Sequence, residues 1–204
     1  MISAAKTVRS AVARTPEGQP FAGRTLAIHG QREAVQRELS RLVQAGKIHR
    51  VAHGIFVRPE RSPYVKGEVP PEPMEVAKAI AQRTGAVVEV SGAEAARRLG
   101  LSIQVPMQHI FQTSGPNTKF GLGSRKVRLK HVAPRKLVLA GRPAGVALAA
   151  LWYLSKNEVE PSTFGPIERK IGPEEFEALR QAKTHMPAWM AKALERYDLE
   201  RSPG

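Results

Sequence analysis

One segment, residues 31–58, constrains the fold more than any other part of this 204-residue chain. Gln31–Ala45 has its apolar residues on the i, i+4, i+7, i+8 spacing of an amphipathic helix, and Gly46 follows as a helix stop; the apolar residues are Val35, Leu39, Leu42 and Val43. The β-prone runs Lys47–Val51 and Ile55–Arg58 come next, and His53-Gly54 between them predicts a hairpin turn. The segment therefore predicts a helix followed directly by a β-hairpin.

Two shorter stretches before this segment also favour helix. Ser3–Arg14 is the first, and it stops at the turn sequence Thr15–Gly18. Phe21–Ala27 is the second, and it ends at His29-Gly30. Helix, turn, helix and hairpin in this order predict a winged helix-turn-helix.

The polar side of the 31–45 helix has the side chains that recognise DNA bases. Arg and Gln pair bidentately with guanine and adenine edges, and the N-terminal part of a recognition helix makes most base contacts. The predicted base-reading residues are Gln31, Arg32, Gln36 and Arg37, and Arg41 is better placed for a phosphate. A solvated polar face is the alternative interpretation of this helix.

The hairpin is basic as well, which is typical of a wing that lies on the phosphate backbone. Its predicted phosphate contacts are Lys47, His49, Arg50, His53 and Arg58. With 32 Lys+Arg against 18 Asp+Glu, the formal net charge is +14, and a field of that sign attracts nucleic acid. The alternative is a charge that only keeps the protein soluble.

A proline-rich stretch, residues 59–73, divides the sequence. Five prolines and a glycine disfavour helix there, so we expect an extended linker between a winged-helix domain at 1–58 and an α+β domain at 74–204. In the second domain, strands are predicted at Ala86–Val90, Gln108–Thr113, Lys126–Val132 and Leu137–Ala140, and helices at Pro73–Arg83, Ser91–Leu99, Pro143–Leu154, Pro173–Ala182 and Pro187–Tyr197. The fold class is therefore α+β.

The second domain has an unusual charge distribution. Residues 95–157 contain no acidic residue, and residues 1–70 and 71–204 each have a net charge of +7. The predicted second basic surface consists of Arg97, Arg98, Arg125, Lys126, Arg128, Lys130, Arg135 and Lys136. From Lys126 on, strand alternation puts the cations on one face and Val127 and Leu129 on the other. The surface is consistent with a second nucleic-acid contact, an acidic protein partner or a solvated edge strand.

The run from Gln36 to Pro59 resembles the winged-helix domain of AbiEi-type antitoxins, which belong to type IV toxin–antitoxin and abortive-infection systems. The matching positions are Leu39, Leu42, Gly46-Lys47, Gly54, Phe56 and Val57, with Phe56 where the family has Tyr. Residues 91–96, 133–137 and 187–190 resemble a related group of that family. The resemblance implies a protein that represses its own operon and counteracts a nucleotidyltransferase-type toxin.

The sequence gives little sign of catalytic chemistry. Asp198 is the single aspartate, whereas two-metal sites need clustered carboxylates, and the six histidines lack metal-ligand spacing. Gly121–Ser124 lacks the further residues of a phosphate-binding loop. With no cysteine, no membrane-length apolar run and an N-terminus unlike a signal peptide, we expect a cytoplasmic protein that is not an enzyme and uses neither cofactor nor metal.

The predicted function is therefore a DNA-binding transcriptional regulator. Its expected partner is double-stranded DNA of its own promoter, and a nucleotidyltransferase-like toxin is a possible second partner. The alternatives are a stand-alone DNA-binding regulator and an RNA-binding accessory protein, both without a toxin.

Overall fold

The computed structural model describes residues 4–29, 32–64 and 67–201. The chain forms two compact units: the first extends to Gly85 and includes Lys119–Val127, and the second consists of Ala86–Thr118 and the chain from Arg128 onward. No helix in the described part of the chain is long and apolar enough to cross a bilayer.

The first unit is a winged helix-turn-helix, as the sequence predicts. Its elements are α1 Ala4–Arg14, β1 Pro20–Ala22, a 3₁₀ helix at Gly23–His29, α2 Arg32–Gln44, β2 His49–Ala52 and β3 Ile55–Val57. The strands form an antiparallel sheet in the order β1-β3-β2. A buried cluster joins the helices to the sheet, and it includes Val8, Val12, Leu26, Val35, Leu39, Ile48 and Phe56.

The helix predicted at Phe21–Ala27 is wrong in its first part. Phe21 lies in β1 opposite Phe56, and the two rings are 6.0 Å apart. Gly23 has no β-carbon, so the chain can approach the sheet closely there, and its N–H donates to the Gly54 carbonyl (3.0 Å). Pairing with a strand more than thirty residues away therefore overrides the local helical preference.

The stretch predicted to be a linker has structure of its own. A two-stranded ribbon forms between β4 Glu60–Arg61 and β5 Glu68–Val69. Helix α3, Pro73–Gln82, then packs against the β1-β3-β2 sheet. The N-terminal part of the first unit thus extends to Gly85, and the helix predicted to open the second domain groups with the first unit instead.

The second unit contains most of a four-stranded sheet and five helices among the described residues. The strands are β6 Val88–Val90, β7 His109–Thr113, β8 Thr118–Leu122 and β9 Arg125–His131, in the order β6-β7-β9-β8; residues 119–127 of β8 and β9 group with the first unit. The helices are α4 Gly92–Arg98, α5 Pro143–Tyr153, α6 Pro161–Ile171, α7 Pro173–Gln181 and α8 Ala188–Arg201. The α+β class is thereby confirmed.

Helix α5 is central to the second unit. Ala144, Ala147, Leu148 and Leu151 are fully buried, and α5 packs against α4, α6 and α7. Ser91 caps the N-terminus of α4, since its Oγ accepts from the Glu94 N–H (3.4 Å). The strand predicted at Leu137–Ala140 is wrong: the chain turns there after a short 3₁₀ helix at Pro134–Lys136, and the N–H groups of Leu137 and Ala140 donate to carbonyls three residues back.

Candidate nucleic-acid interface

Helix α2 is held in place by its inner face. Val35 and Leu39 are buried against α1 in the core of the first unit. Glu38 is also buried, at 3% exposure, and its carboxylate pairs with Arg9 of α1 (2.8 Å) and with Arg41 one turn on (3.4 Å). Apolar contact and a charge pair therefore fix α2 to α1, and its opposite face points to solvent.

The outer face of α2 presents the predicted base-reading residues. Arg32, Gln36 and Arg37 are exposed, and within the described part of the chain neither arginine has a side-chain hydrogen bond or ion pair. Arg41 pairs with Glu38, but 71% of its side chain stays accessible. Gln31 lies outside the described residues. The structure thus brings three of the four predicted base contacts together on one open helix face.

The wing is the turn between β2 and β3. Gly54 adopts φ +70°, a left-handed conformation that favours glycine, and closes the turn with His53. The Arg50 guanidinium bonds to His53 Nδ1 (3.0 Å), and both side chains are exposed. Lys47, just before β2, is exposed as well. Three of the predicted phosphate contacts are therefore exposed: Arg50 and His53 at the wing, and Lys47 between α2 and β2.

Two residues predicted for the wing are engaged inside the unit. Arg58 donates to the Ala13 and Thr15 carbonyls (3.1 and 2.7 Å) and pairs with Glu17 (3.1 Å), so it fixes the end of α1 to the sheet. His49 bonds through Nε2 to Glu68 (2.5 Å). These bonds occupy the groups that would reach a phosphate, so we leave both residues out of the proposed interface.

A pocket that the sequence did not indicate opens beside α2 and the wing. Its volume is about 490 Å³, and its lining is Gly23, Arg24, Arg32, Val35, Gln36, Arg50, His53, Gly54, Phe56, Arg83 and Thr84. The Arg24 side chain donates to the Gln82 carbonyl (3.1 Å), and Arg83 donates to the His53 carbonyl. Sequence reasoning missed Arg24 and Arg83 because it placed the first in a helix and the second in another domain.

The basic strand β9 shows the predicted alternation. Val127 and Leu129 are buried, whereas Lys126, Arg128 and Lys130 are exposed, and Arg125 at the start of the strand is exposed too. One face of β9 therefore packs, and the other is cationic.

The other cations of the predicted second surface have partners. Arg97 and Arg98 both bond to Glu94 (2.8 Å each), and the hydrogen bond from Arg97 is the largest cause that lowers the pKa of Glu94 to about 2. Arg135 and Lys136 lie over the Trp152 ring, 5.0 and 4.5 Å from its centroid. Burial and then the charge of Arg135 lower the pKa of Lys136. The open part of this surface is thus β9 itself.

The described residues give no group of three or more His, Asp and Glu side chains placed to hold a metal ion.

The N-terminal part of the first unit, up to Gly85, is of the winged helix-turn-helix class, and its helix α2 presents Arg32 and Arg37 on an exposed face. The chain belongs to a family of unknown function, DUF6088, whose model matches residues 9–179. No curated protein matches the chain.

A solved structure that resembles the chain is the crystal structure of the RV2827C protein from Mycobacterium tuberculosis. The two are 19% identical with a TM-score of 0.45, over 100% of this chain and 79% of that one. Neither comparison names a toxin–antitoxin system, so the resemblance to AbiEi-type antitoxins stays a prediction.

Proposed function

We propose that the chain is a DNA-binding transcriptional regulator that acts on its own promoter in the cytoplasm, with α2 in the major groove. The observation that supports this most is the row of Arg32, Gln36 and Arg37 on α2, exposed and without carboxylate partners in the described structure. Other arginines of the same unit pair with acids, among them Arg9 and Arg58. An unpaired row of this kind on an exposed helix face suits an anionic duplex.

The geometry of the row supports base reading in particular. Arg32 and Gln36 are four residues apart, so they project from the same side of α2 about one turn apart, and Arg37 lies beside them. A guanidinium fork pairs with the O6 and N7 atoms of guanine, and an amide pairs with N6 and N7 of adenine. Because the inner face of α2 is fixed by Leu39 and Glu38, these groups are presented on a rigid support.

Lys47, Arg50 and Arg41 are the proposed phosphate contacts. Arg41 lies in the last turn of α2, Lys47 in the connection to β2 and Arg50 on β2, and none of them is buried. Phosphate contacts position the protein without carrying sequence information, which suits charged side chains on a wing that flanks the reading helix.

The second part of the proposal is that this regulator is the autorepressing antitoxin of a type IV system. It is supported by the resemblance of residues 36–59 and of three segments of the second unit to AbiEi-type antitoxins. The exposed side chains of Arg128 and Lys130 in β9 give the second unit cations for an acidic partner such as a nucleotidyltransferase-like toxin.

Binding to the chain's own promoter duplex and to a scrambled duplex, measured by fluorescence anisotropy, tests base reading. The double variant Arg32→Ala/Arg37→Ala should lose about tenfold or more in affinity for the promoter and keep most of its affinity for the scrambled duplex, since each bidentate contact gives about 1–3 kcal/mol of discrimination. Arg196→Ala removes one exposed cation far along the chain and should bind like the wild type. Unchanged preference for the promoter in the double variant would contradict the assignment.

Co-expression with the product of the adjacent gene tests the antitoxin role. If that product arrests growth and the full chain restores it, the role is supported. If the adjacent product is harmless, or if the full chain does not relieve the growth arrest, the antitoxin role is contradicted. The proposal is then reduced to a stand-alone DNA-binding regulator.

A further inference from the structure

The pocket beside α2 has a cationic lining whose charge no acidic side chain neutralises. Arg24, Arg32, Arg50 and Arg83 line it, together with His53 and Gln36, and no acidic residue is part of the lining. None of the four arginines forms an ion pair in the described structure, whereas Arg9, Arg41 and Arg58 of the same unit pair with carboxylates at 2.8–3.4 Å. Four like charges around one cavity repel each other, and an anion bound between them would offset this repulsion.

The side chains of two of these arginines are already fixed by hydrogen bonds to the backbone. Arg24 donates to the Gln82 carbonyl and Arg83 to the His53 carbonyl, and a guanidinium has five N–H donors, so several remain on each side chain. Planar forks that are already fixed lose little freedom when they bind a phosphate, and they match its oxygens bidentately. The arrangement therefore favours a phosphate group over a simple halide.

The volume of the pocket indicates a ligand larger than a free phosphate ion. Its volume of about 490 Å³ lies within the range of small-molecule sites, roughly 300–1,000 Å³. Val35 and Phe56 add apolar wall to the lining. A phosphorylated molecule about as large as a mononucleotide fits both the volume and the charge.

We propose that this pocket binds the phosphate group of a small phosphorylated ligand of nucleotide size, and that the bound ligand competes with DNA. The competition rests on the proposed function, because Arg32 and Gln36 belong both to the pocket lining and to the base-reading row. A ligand that engages these two side chains removes them from the major groove. The first unit then combines a DNA-reading helix with an effector site.

Isothermal titration of the full chain with adenosine monophosphate tests the site, with adenosine and inorganic phosphate as comparison probes at constant ionic strength. Adenosine monophosphate should bind, adenosine should not, and inorganic phosphate should bind more weakly. Arg24→Gln and Arg83→Gln should each weaken binding about tenfold, a loss of about 1.4 kcal/mol. Arg14→Gln is the matched control, because Arg14 is an exposed arginine of the same unit outside the pocket lining, and this variant should bind as the wild type does.

Circular dichroism and thermal unfolding show whether each variant is folded, and two separate pocket variants keep the test valid if one is not. The proposal is overturned if the wild type does not bind adenosine monophosphate or binds phosphate equally well, and also if the folded pocket variants bind unchanged. A pocket that serves only DNA phosphates would show the first of these results together with weaker duplex binding in both variants.

Displacement of labelled promoter duplex by adenosine monophosphate tests the competition. Displacement from the wild type, with about tenfold more ligand needed for Arg83→Gln, supports the competition. Ligand binding without displacement overturns the competition but not the proposed phosphate site. If the wild type binds no duplex at all, the proposed function fails, and the titration still decides whether the pocket binds phosphate.

Discussion

Glu38 is the buried one of two carboxylates on α2, whose other acidic residue, Glu33, is exposed in the first turn. The pairing of Glu38 with Arg9 joins α1 to α2 at 2.8 Å, while Arg41 pairs with it from the exposed side. The negative charge also stands between the two helices and away from the outer face of α2, so it does not oppose the approach of DNA there. One residue thus combines a structural role with control of where the charge of α2 lies.

The pairing of Arg9 with Glu38 leads to a stability prediction. Arg9→Ala should destabilise the chain by about 1–2 kcal/mol, because the buried carboxylate loses one of the two arginines that pair with it, and the exposure of Arg9 limits the effect. Urea unfolding measures the difference, with Arg196→Ala as the control for loss of an exposed cation. Equal midpoints for both variants and the wild type would refute this role for Arg9.

Glu94 gives the chain a defined pH dependence. Hydrogen bonds from Arg97 and then Arg98 lower its pKa from an ordinary value of 4.5 to about 2. A lowered carboxyl pKa stabilises the folded state fully above the unfolded value near 4.5, and this stabilisation is lost as the pH falls through the folded value near 2. The window of loss is therefore about pH 4.5 to 2.

Glu94→Gln should consequently cost about 1–2 kcal/mol at pH 7, after allowance for the solvent exposure of the arginines. At pH 3 the difference from the wild type should be about half as large or less. Denaturant unfolding at both pH values measures it. Glu200→Gln is the control, since Glu200 is exposed and has no ion pair in the described structure. A difference that stays constant from pH 7 to pH 3 would disprove the linkage.

At the scale of elements, helix α5 depends on close approach at one glycine. A β-carbon on Gly145 would lie 2.1 Å from the Leu139 carbonyl oxygen and 2.9 Å from Glu89 Oε2. Glu89 is itself buried and accepts from the Gly141 N–H (2.9 Å), so the turn before α5 has little room to move. The start of α5 is therefore packed against backbone.

Gly145→Ala should destabilise the chain by about 3 kcal/mol or more, because backbone atoms must shift to admit the methyl group. Gly165 of α6 is the matched control: a β-carbon there meets no atom closer than 3.5 Å, so Gly165→Ala should be neutral or stabilising by about 0.5–1 kcal/mol. Thermal unfolding of both variants measures the contrast, and similar melting temperatures would refute the packing argument.

The elements that the sequence predicts well are those with a strong local pattern. Helix α2 and the hairpin after it follow from the spacing of apolar residues and from Gly46, and the alternation of β9 follows from Val127 and Leu129. Strand β1 is not predictable in this way, because Phe21 becomes extended only through its pairing with Phe56. The same holds for β8, whose Gly121 and flanking turn residues indicate a loop until β9 pairs with it.

At the scale of the whole molecule, the division of charge differs from the one that the sequence suggests. A cut after residue 70 gives +7 on each side, whereas the first unit as folded has 17 Lys+Arg and 7 acidic residues, a net charge of +10. The second unit has 15 and 11, a net charge of +4. Most of the excess charge therefore belongs to the unit with the winged helix, because α3 and residues 119–127 group with it.

The candidate site can be predicted from the sequence only in part. Arg32, Gln36 and Arg37 lie on one helix, so helical periodicity is enough to bring them together. The pocket joins Arg24 and Arg83, which are 59 positions apart, through the fold of the first unit. No periodic pattern relates such positions, and only the packing of α3 against the sheet brings them near α2.

The charge of the first unit leads to a prediction on salt dependence. Binding of any duplex should weaken steeply as salt rises, and Lys47→Ala and Arg50→Ala should each reduce the slope of log affinity against log salt by about 0.9, since each removes one phosphate contact. Titrations at four salt concentrations measure the slope. Arg196→Ala should leave it unchanged, and the same slope in all four proteins would contradict the phosphate assignments.

Hydrogen bonds from two other segments fix the wing in the absence of any ligand. Gly23 holds the Gly54 carbonyl through its N–H, and Arg83 holds the His53 carbonyl from the end of α3. A loop that is already ordered loses little conformational entropy when it touches a partner. Contact with the wing is then an encounter of two preformed shapes, and the rate of that encounter is set by diffusion and charge and not by the folding of a loop.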